Sequence, residues 1–124
     1  MKDLILKQEA FEIIGICMEV HRHLGHGFSE IVYKDALEYE FRKNGVKYKR
    51  EQEFLVHYKD VILPHKFYAD FVVLDSIILE IKSVSQLTKS HHAQVMNYLA
   101  VSDLPLGLLI NFNNDSLIYK RFVL

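Results

Sequence analysis

Residues 65–84 read HKFYADFVVLDSIILEIKSV. Two apolar runs lead into each other through Asp75 and Ser76, and β-branched and aromatic residues dominate both, which predicts a tight antiparallel hairpin. Each run carries an acid where a core strand should have none: Asp70 in the first, Glu80 in the second. Lys82 follows Glu80 by two positions, so the two side chains leave the strand on one face. An unpartnered buried carboxylate costs on the order of several kcal/mol, so the lysine, a metal ion or water at an open cleft must compensate it. A purely structural Glu80–Lys82 ion pair is the plain alternative to a site.

Whether Asp70 joins them depends on register. With Asp70 directly opposite Glu80, both acids share a face; a slip of one residue separates them. The shared face requires a loop with an odd number of residues centred near Asp75, or a bulge that resets the ladder. Two adjacent carboxylates repel and raise one pKa unless a divalent cation lies between them. Hard oxygen donors without a His or Cys cluster suit Mg²⁺ or Mn²⁺ rather than zinc. Lys82 beside such an ion could orient an attacking water and stabilise charge on a phosphoryl group, which is the chemistry of phosphodiester hydrolysis.

The flanking sequence supplies the remaining elements. Helical periodicity runs from Lys7 to Leu24, with Phe11, Ile14 and Met18 in one row and Ile13, Ile16, Val20 and Leu24 in another, which predicts a broad buried face. Gly15 in its middle either permits a close crossing or is a neutral choice. After Gly25 and Gly27, Ser29 can cap a second helix from Glu30 to about Asn44, with Gly45 as its stop. Glu30, Tyr33, Leu37 and Phe41 form one stripe of that helix, so an acid begins its apolar face. Residues 53–59 alternate as a strand, and residues 60–64 look like a turn. Beyond the hairpin come a helix from about Thr88 to Val101, an interior strand at 107–112 and a last strand at 117–123. On the third helix His91, Gln94 and Tyr98 share a polar stripe that could face the acids or simply face solvent.

Composition bounds the rest. With 124 residues, half of them hydrophobic, the chain is expected to form one domain over residues 1–124. A net charge of −1 argues against a strongly basic, non-specific nucleic-acid binder. The single cysteine, Cys17, reads as a small core hydrophobe in a reducing, cytoplasmic setting. No apolar run is long enough to span a bilayer, and the N-terminal MKDLILKQEAFE carries acids where a secretion signal would be apolar. His21, His23 and His26 lack a zinc spacing and read as surface groups or partners of a helix C-terminus.

The segment GFSEIVY, Gly27 to Tyr33, fits the pattern of the GxxExxY proteins, and the resemblance continues through YADFVVLDSIILEIKSV, HHAQVMNYLA and GLLINF. That family resembles a minimal PD-(D/E)xK nuclease. The resemblance implies an α/β, restriction-endonuclease-like core of order α-β-β-β-α-β, with an extra N-terminal helix and a mixed sheet flanked by helices. It implies Asp70, Glu80 and the Ile81 carbonyl as ligands of Mg²⁺ or Mn²⁺, Lys82 as the catalytic lysine, and Glu30 as an acid contributed from the helix. Gln94 and Tyr98 match the Gln-x-x-x-Tyr element of RecB-like and Cas4-like nucleases, and His91 could contact phosphate or cap its helix. Two positions depart from the pattern: Tyr68 stands where members often carry arginine, and Ala69 where the superfamily name has proline. The expected activity is metal-dependent hydrolysis of DNA, and the expected partner is nucleic acid; a catalytically silent binding module is the alternative. A homodimer, or a place in a larger complex, stays open.

Overall fold

The computed structural model describes residues 5–124. Residues 1–4, which begin the N-terminal stretch read above against a secretion signal, lie outside the described residues. The elements follow as α1 (Lys7–Leu24), α2 (Glu30–Lys43), β1 (Tyr48–Tyr58), β2 (Val61–Val73), β3 (Ile77–Lys82), α3 (Lys89–Ser102), β4 (Leu106–Asn111) and β5 (Ile118–Phe122). The five strands form one sheet in sequence order. β3 and β4 pair in parallel across the α3 crossover, and all other neighbours are antiparallel. This mixed sheet, with α2-β1-β2-β3-α3-β4 as its core and α1 added in front, has the restriction-endonuclease-like topology.

Strand alternation sorts side chains into two layers. Phe71, Val73, Ile77, Leu79 and Ile81 join β4 residues in packing on α1 and α2, while Val72, Ile78 and Leu109 pack on Val95, Tyr98 and Leu99 of α3. Gly107 lets α3 approach β4 closely, since a Cβ there would lie 2.6 Å from Val95 Cγ1. β3 is thus buried on both faces, as a central parallel-paired strand must be.

The buried face of α1 is narrower than its periodicity predicts. Ala10, Ile13, Cys17 and Val20 are buried, but Phe11 is 73% and Met18 42% exposed. The sheet and α2 cover only one side of α1, so Phe11 and Met18 stay outside while Ile14 between them packs partly against the core. Gly15 has no atom near the position of a Cβ, which identifies it as a neutral choice rather than a crossing point. Burial raises the Cys17 thiol to about 12, in keeping with an inert core residue.

β1 starts at Tyr48, five residues before the predicted start, and the region read as a turn is mostly strand. The chain reverses at Lys59 and Asp60 alone, with Tyr58 paired to Val61 and Lys59 at φ 53°. Pro64 is tolerated inside β2 because the ladder shifts register there, between Leu55 and His57 of β1, so its missing N–H breaks no required bond.

Candidate functional site

The hairpin takes the register that unites the two acids. Phe71 pairs with Leu79, Val72 with Ile78 and Val73 with Ile77, which leaves a three-residue loop centred on Asp75. Leu74 and Asp75 adopt φ 57° and 55° to close it. Lys47 pins the loop, its carbonyl accepting from Leu74 N at 2.8 Å and its amine donating to Asp75 at 2.6 Å.

Beyond Phe71 and Leu79 the backbone ladder stops and side chains take it over. Asp70 N–H donates to Glu80 Oε2 at 2.7 Å, and Ile81 N–H donates to Asp70 Oδ2 at 2.8 Å. The two carboxylates therefore brace each other's strands. A change of face in β2 makes room for this: Ala69 packs with the α3 layer, whereas Phe71 packs with the α1–α2 layer. Asp70 sits at the crossover, beside Glu51 of β1, which adopts φ 54°.

Glu80 is only 2% exposed. Burial first, then the charge of Asp70, pushes its carboxyl well above the usual range, while the Asp70 N–H, Lys82 and Lys34 pull the other way. Tyr98, 6% exposed, is pushed up to about 12 by burial and by the charges of Glu80 and Asp70. Its hydroxyl accepts from Gln94 Nε2 at 3.3 Å, and its ring meets Phe67 edge-on. Tyr98 on α3 thus lies within the field of both acids, with Gln94 tied to its hydroxyl. A shallow groove lined by Lys66, Tyr68, Gln94, Asn97 and Tyr98 opens beside it.

Lys82 is half-buried, and no carboxylate among the described residues lies within 4.0 Å of its amine. The structural Glu80–Lys82 ion pair is therefore not formed. Glu30 stands apart from Asp70 and Glu80: its Oε2 accepts from Ser83 N at 3.4 Å, just past the end of β3. Among the described residues, no group of three or more His, Cys, Asp and Glu side chains is gathered as a metal cluster. His91 caps its own helix, its Nδ1 accepting from Thr88 N at 3.0 Å while Thr88 Oγ1 accepts from His91 N. Of the three histidines near the end of α1, His21 meets the Asn114 carbonyl at 2.8 Å, His23 meets Glu19 at 2.8 Å and His26 lies 3.6 Å from Asp115.

The motif Gly27-x-x-Glu30-x-x-Tyr33 gains a mechanical meaning. Tyr33 is fully buried and stacked on Phe112 at 4.4 Å; its hydroxyl donates to Gly25 O at 2.6 Å and accepts from Phe28 N at 3.3 Å. Ser83 Oγ then ties Phe28 O to the end of β3 at 2.6 Å. Gly27, at φ 107°, lets the chain turn between these anchors. Together they fix where α2 begins, and hence where Glu30 stands.

Sequence reading missed Lys34. Its amine lies 3.1 Å from Asp70 Oδ1 and 2.6 Å from Glu51. Burial works to lower its pKa, but the bonds to Glu51 and Asp70 and their charges outweigh that and raise it. The available signal was its position one helical turn after Glu30 on the same stripe.

The donor set suits a small hard cation. Two carboxylates on adjacent strands, one deeply buried and destabilised by its neighbour's charge, are the residues that could hold Mg²⁺ or Mn²⁺, with water completing the shell.

A model of the PD-(D/E)XK nuclease superfamily matches residues 7–122. No curated protein matches the chain. Among solved structures, the crystal structure of SSO0001 is similar in fold, with a TM-score of 0.60 and 21% sequence identity over 74% of this chain. This chain spans about half of that one, 48% of its length.

Proposed function

The chain belongs to the PD-(D/E)XK nuclease superfamily, and from that premise we propose that it is a metal-dependent nuclease of the GxxExxY type that hydrolyses DNA phosphodiester bonds. Residues 1–124 act as one domain, in the cytoplasm. One observation carries the reading: Asp70 and Glu80 are cross-braced on neighbouring strands, with Lys82, free of carboxylate partners among the described residues, one strand repeat beyond Glu80. Asp70, Glu80 and the Ile81 carbonyl would hold Mg²⁺ or Mn²⁺, and Glu30 would hold it through water. When bound, the ion would act as a Lewis acid on a phosphoryl oxygen.

The protein's own groups do the rest. Lys82 holds the attacking water in line and neutralises charge that builds on the phosphate. Gln94 and Tyr98, already joined, orient the phosphate, and His91 contributes its free Nε2. The groove past Lys66 and Tyr68 takes the nucleic-acid backbone. The Gln-x-x-x-Tyr placement supports a RecB-like or Cas4-like site.

A catalytically silent nuclease-fold module that binds nucleic acid or protein, alone, as a homodimer or in a larger complex, is the second reading. The Lys34–Asp70 ion pair favours it, because a lysine can replace a metal as a structural counter-charge. Cleavage of single-stranded, double-stranded and branched DNA with Mg²⁺ or Mn²⁺ separates the two. The enzyme reading expects wild-type cleavage that Lys82→Ala abolishes; equal inertness of both proteins across all substrates refutes it.

A further inference from the structure

Both oxygens of Asp70 already have positively polarised partners. Oδ2 takes the Ile81 N–H at 2.8 Å, and Oδ1 takes the Lys34 ammonium at 3.1 Å. Lys34 is largely shielded, with 13% of its side chain exposed, and it simultaneously touches Glu51 at 2.6 Å. Its helix is fixed by the buried Tyr33 one residue earlier. The lysine stem, by contrast, has four rotatable bonds, so the ammonium can shift while α2 stays in place.

We infer that Lys34 is the resident counter-cation of Asp70, and that a divalent ion entering between Asp70 and Glu80 displaces its ammonium onto Glu51. This rests on the metal reading above. A divalent ion and an ammonium that compete for one carboxylate oxygen repel each other strongly at a site so little exposed. Glu51 is already in contact with the ammonium, so the exchange needs the loss of one partner and no search for another. Glu51 is half exposed at 51%, so its charge is less committed than that of Asp70. Lys34 and Glu51 therefore set metal affinity in opposite directions: the lysine weakens it by holding Asp70, and the glutamate strengthens it by receiving the lysine.

The test is calorimetric titration with Mn²⁺ alone, checked by the electron paramagnetic resonance of the bound ion. Lys34→Met, similar in shape but uncharged, is expected to bind Mn²⁺ roughly tenfold or more tighter than wild type. Lys34→Arg stays near wild type, and Glu51→Gln binds more weakly. Tighter binding is not a result that mere damage to the fold produces. If Lys34→Met fails to fold, Glu51→Gln decides alone: weaker binding supports the exchange, and equal or tighter binding overturns it. Asp70→Asn separates the two levels of the claim. Where binding depends on Asp70 yet Lys34→Met binds no tighter, the exchange is wrong and the metal site stands. Where neither wild type nor Lys34→Met shows Asp70-dependent binding, the metal reading falls and the exchange falls with it.

Discussion

Replacing Glu80 by glutamine should stabilise the metal-free protein near neutral pH, the reverse of what removing a hydrogen-bonded core residue usually does. Glutamine keeps the shape and an acceptor for the Asp70 N–H, but it removes a charge that is 2% exposed and has no cation within ion-pair distance among the described residues. Two like unit charges about 5 Å apart at an effective dielectric of about 20 repel by about 3 kcal/mol, which sets the scale for repulsion from Asp70. Weakening the Asp70 N–H bond from a charged to a neutral acceptor gives back about 1 kcal/mol. The pull of Lys34 and Lys82 is lost as well, leaving a net gain of about 1–2 kcal/mol.

The pH dependence follows from the direction of the Glu80 shift. Its folded-state pKa lies well above the ordinary 4.5, so the stability it contributes is fully present below 4.5 and is lost as pH rises through the raised value. Glu80→Gln has no such loss, so its advantage should be greatest at pH 8 and shrink toward pH 4.5. Urea melts in chelator across that range measure it. Adding Mn²⁺ should stabilise wild type and leave the variant nearly unchanged. A variant less stable than wild type at pH 8, or a gap independent of pH, would refute the reasoning.

Two other substitutions probe the frame around the site. Gly107→Ala drives a methyl group against Val95 and should cost about 1–3 kcal/mol in a denaturant melt; a neutral result would show that α3 is not held close to β4. Tyr33→Phe keeps the stack on Phe112 but loses the hydroxyl that joins Gly25 to Phe28, and should cost about 1–2 kcal/mol. Faster amide exchange at Phe28 and at Ser83, whose hydroxyl binds the Phe28 carbonyl, should accompany that loss.

Much of the architecture was legible because it rests on period and punctuation. The odd-numbered loop at Asp75 followed from asking which register lets two acids share one face, and the loop of Leu74, Asp75 and Ser76 meets that condition. Phe11 and Met18 of α1 misled because periodicity reports which residues could be buried, not how far the neighbouring elements reach. Pro64 misled because local propensity marks it as a breaker, while a register shift in its pairing with the adjacent strand β1 absorbs it. Lys34 was missed for a related reason, although its place one turn after Glu30 put it on the right stripe. Stripe position alone does not tell a lysine that reaches across to Asp70 and Glu51, 36 and 17 residues away in sequence, from one that points into water. His91 shows the limit from the other side: its stripe position fits a site, but the capping box with Thr88 uses its Nδ1 locally.

Everything proposed for the site depends on Asp70 and Glu80 holding a divalent cation beside Lys82. Anomalous diffraction from crystals soaked in Mn²⁺ tests it most directly. One peak is expected within coordination distance of both carboxylates, absent in Asp70→Asn, with Lys34 withdrawn to Glu51. A map with no peak there, and the Lys34 ammonium still on Asp70, would contradict it.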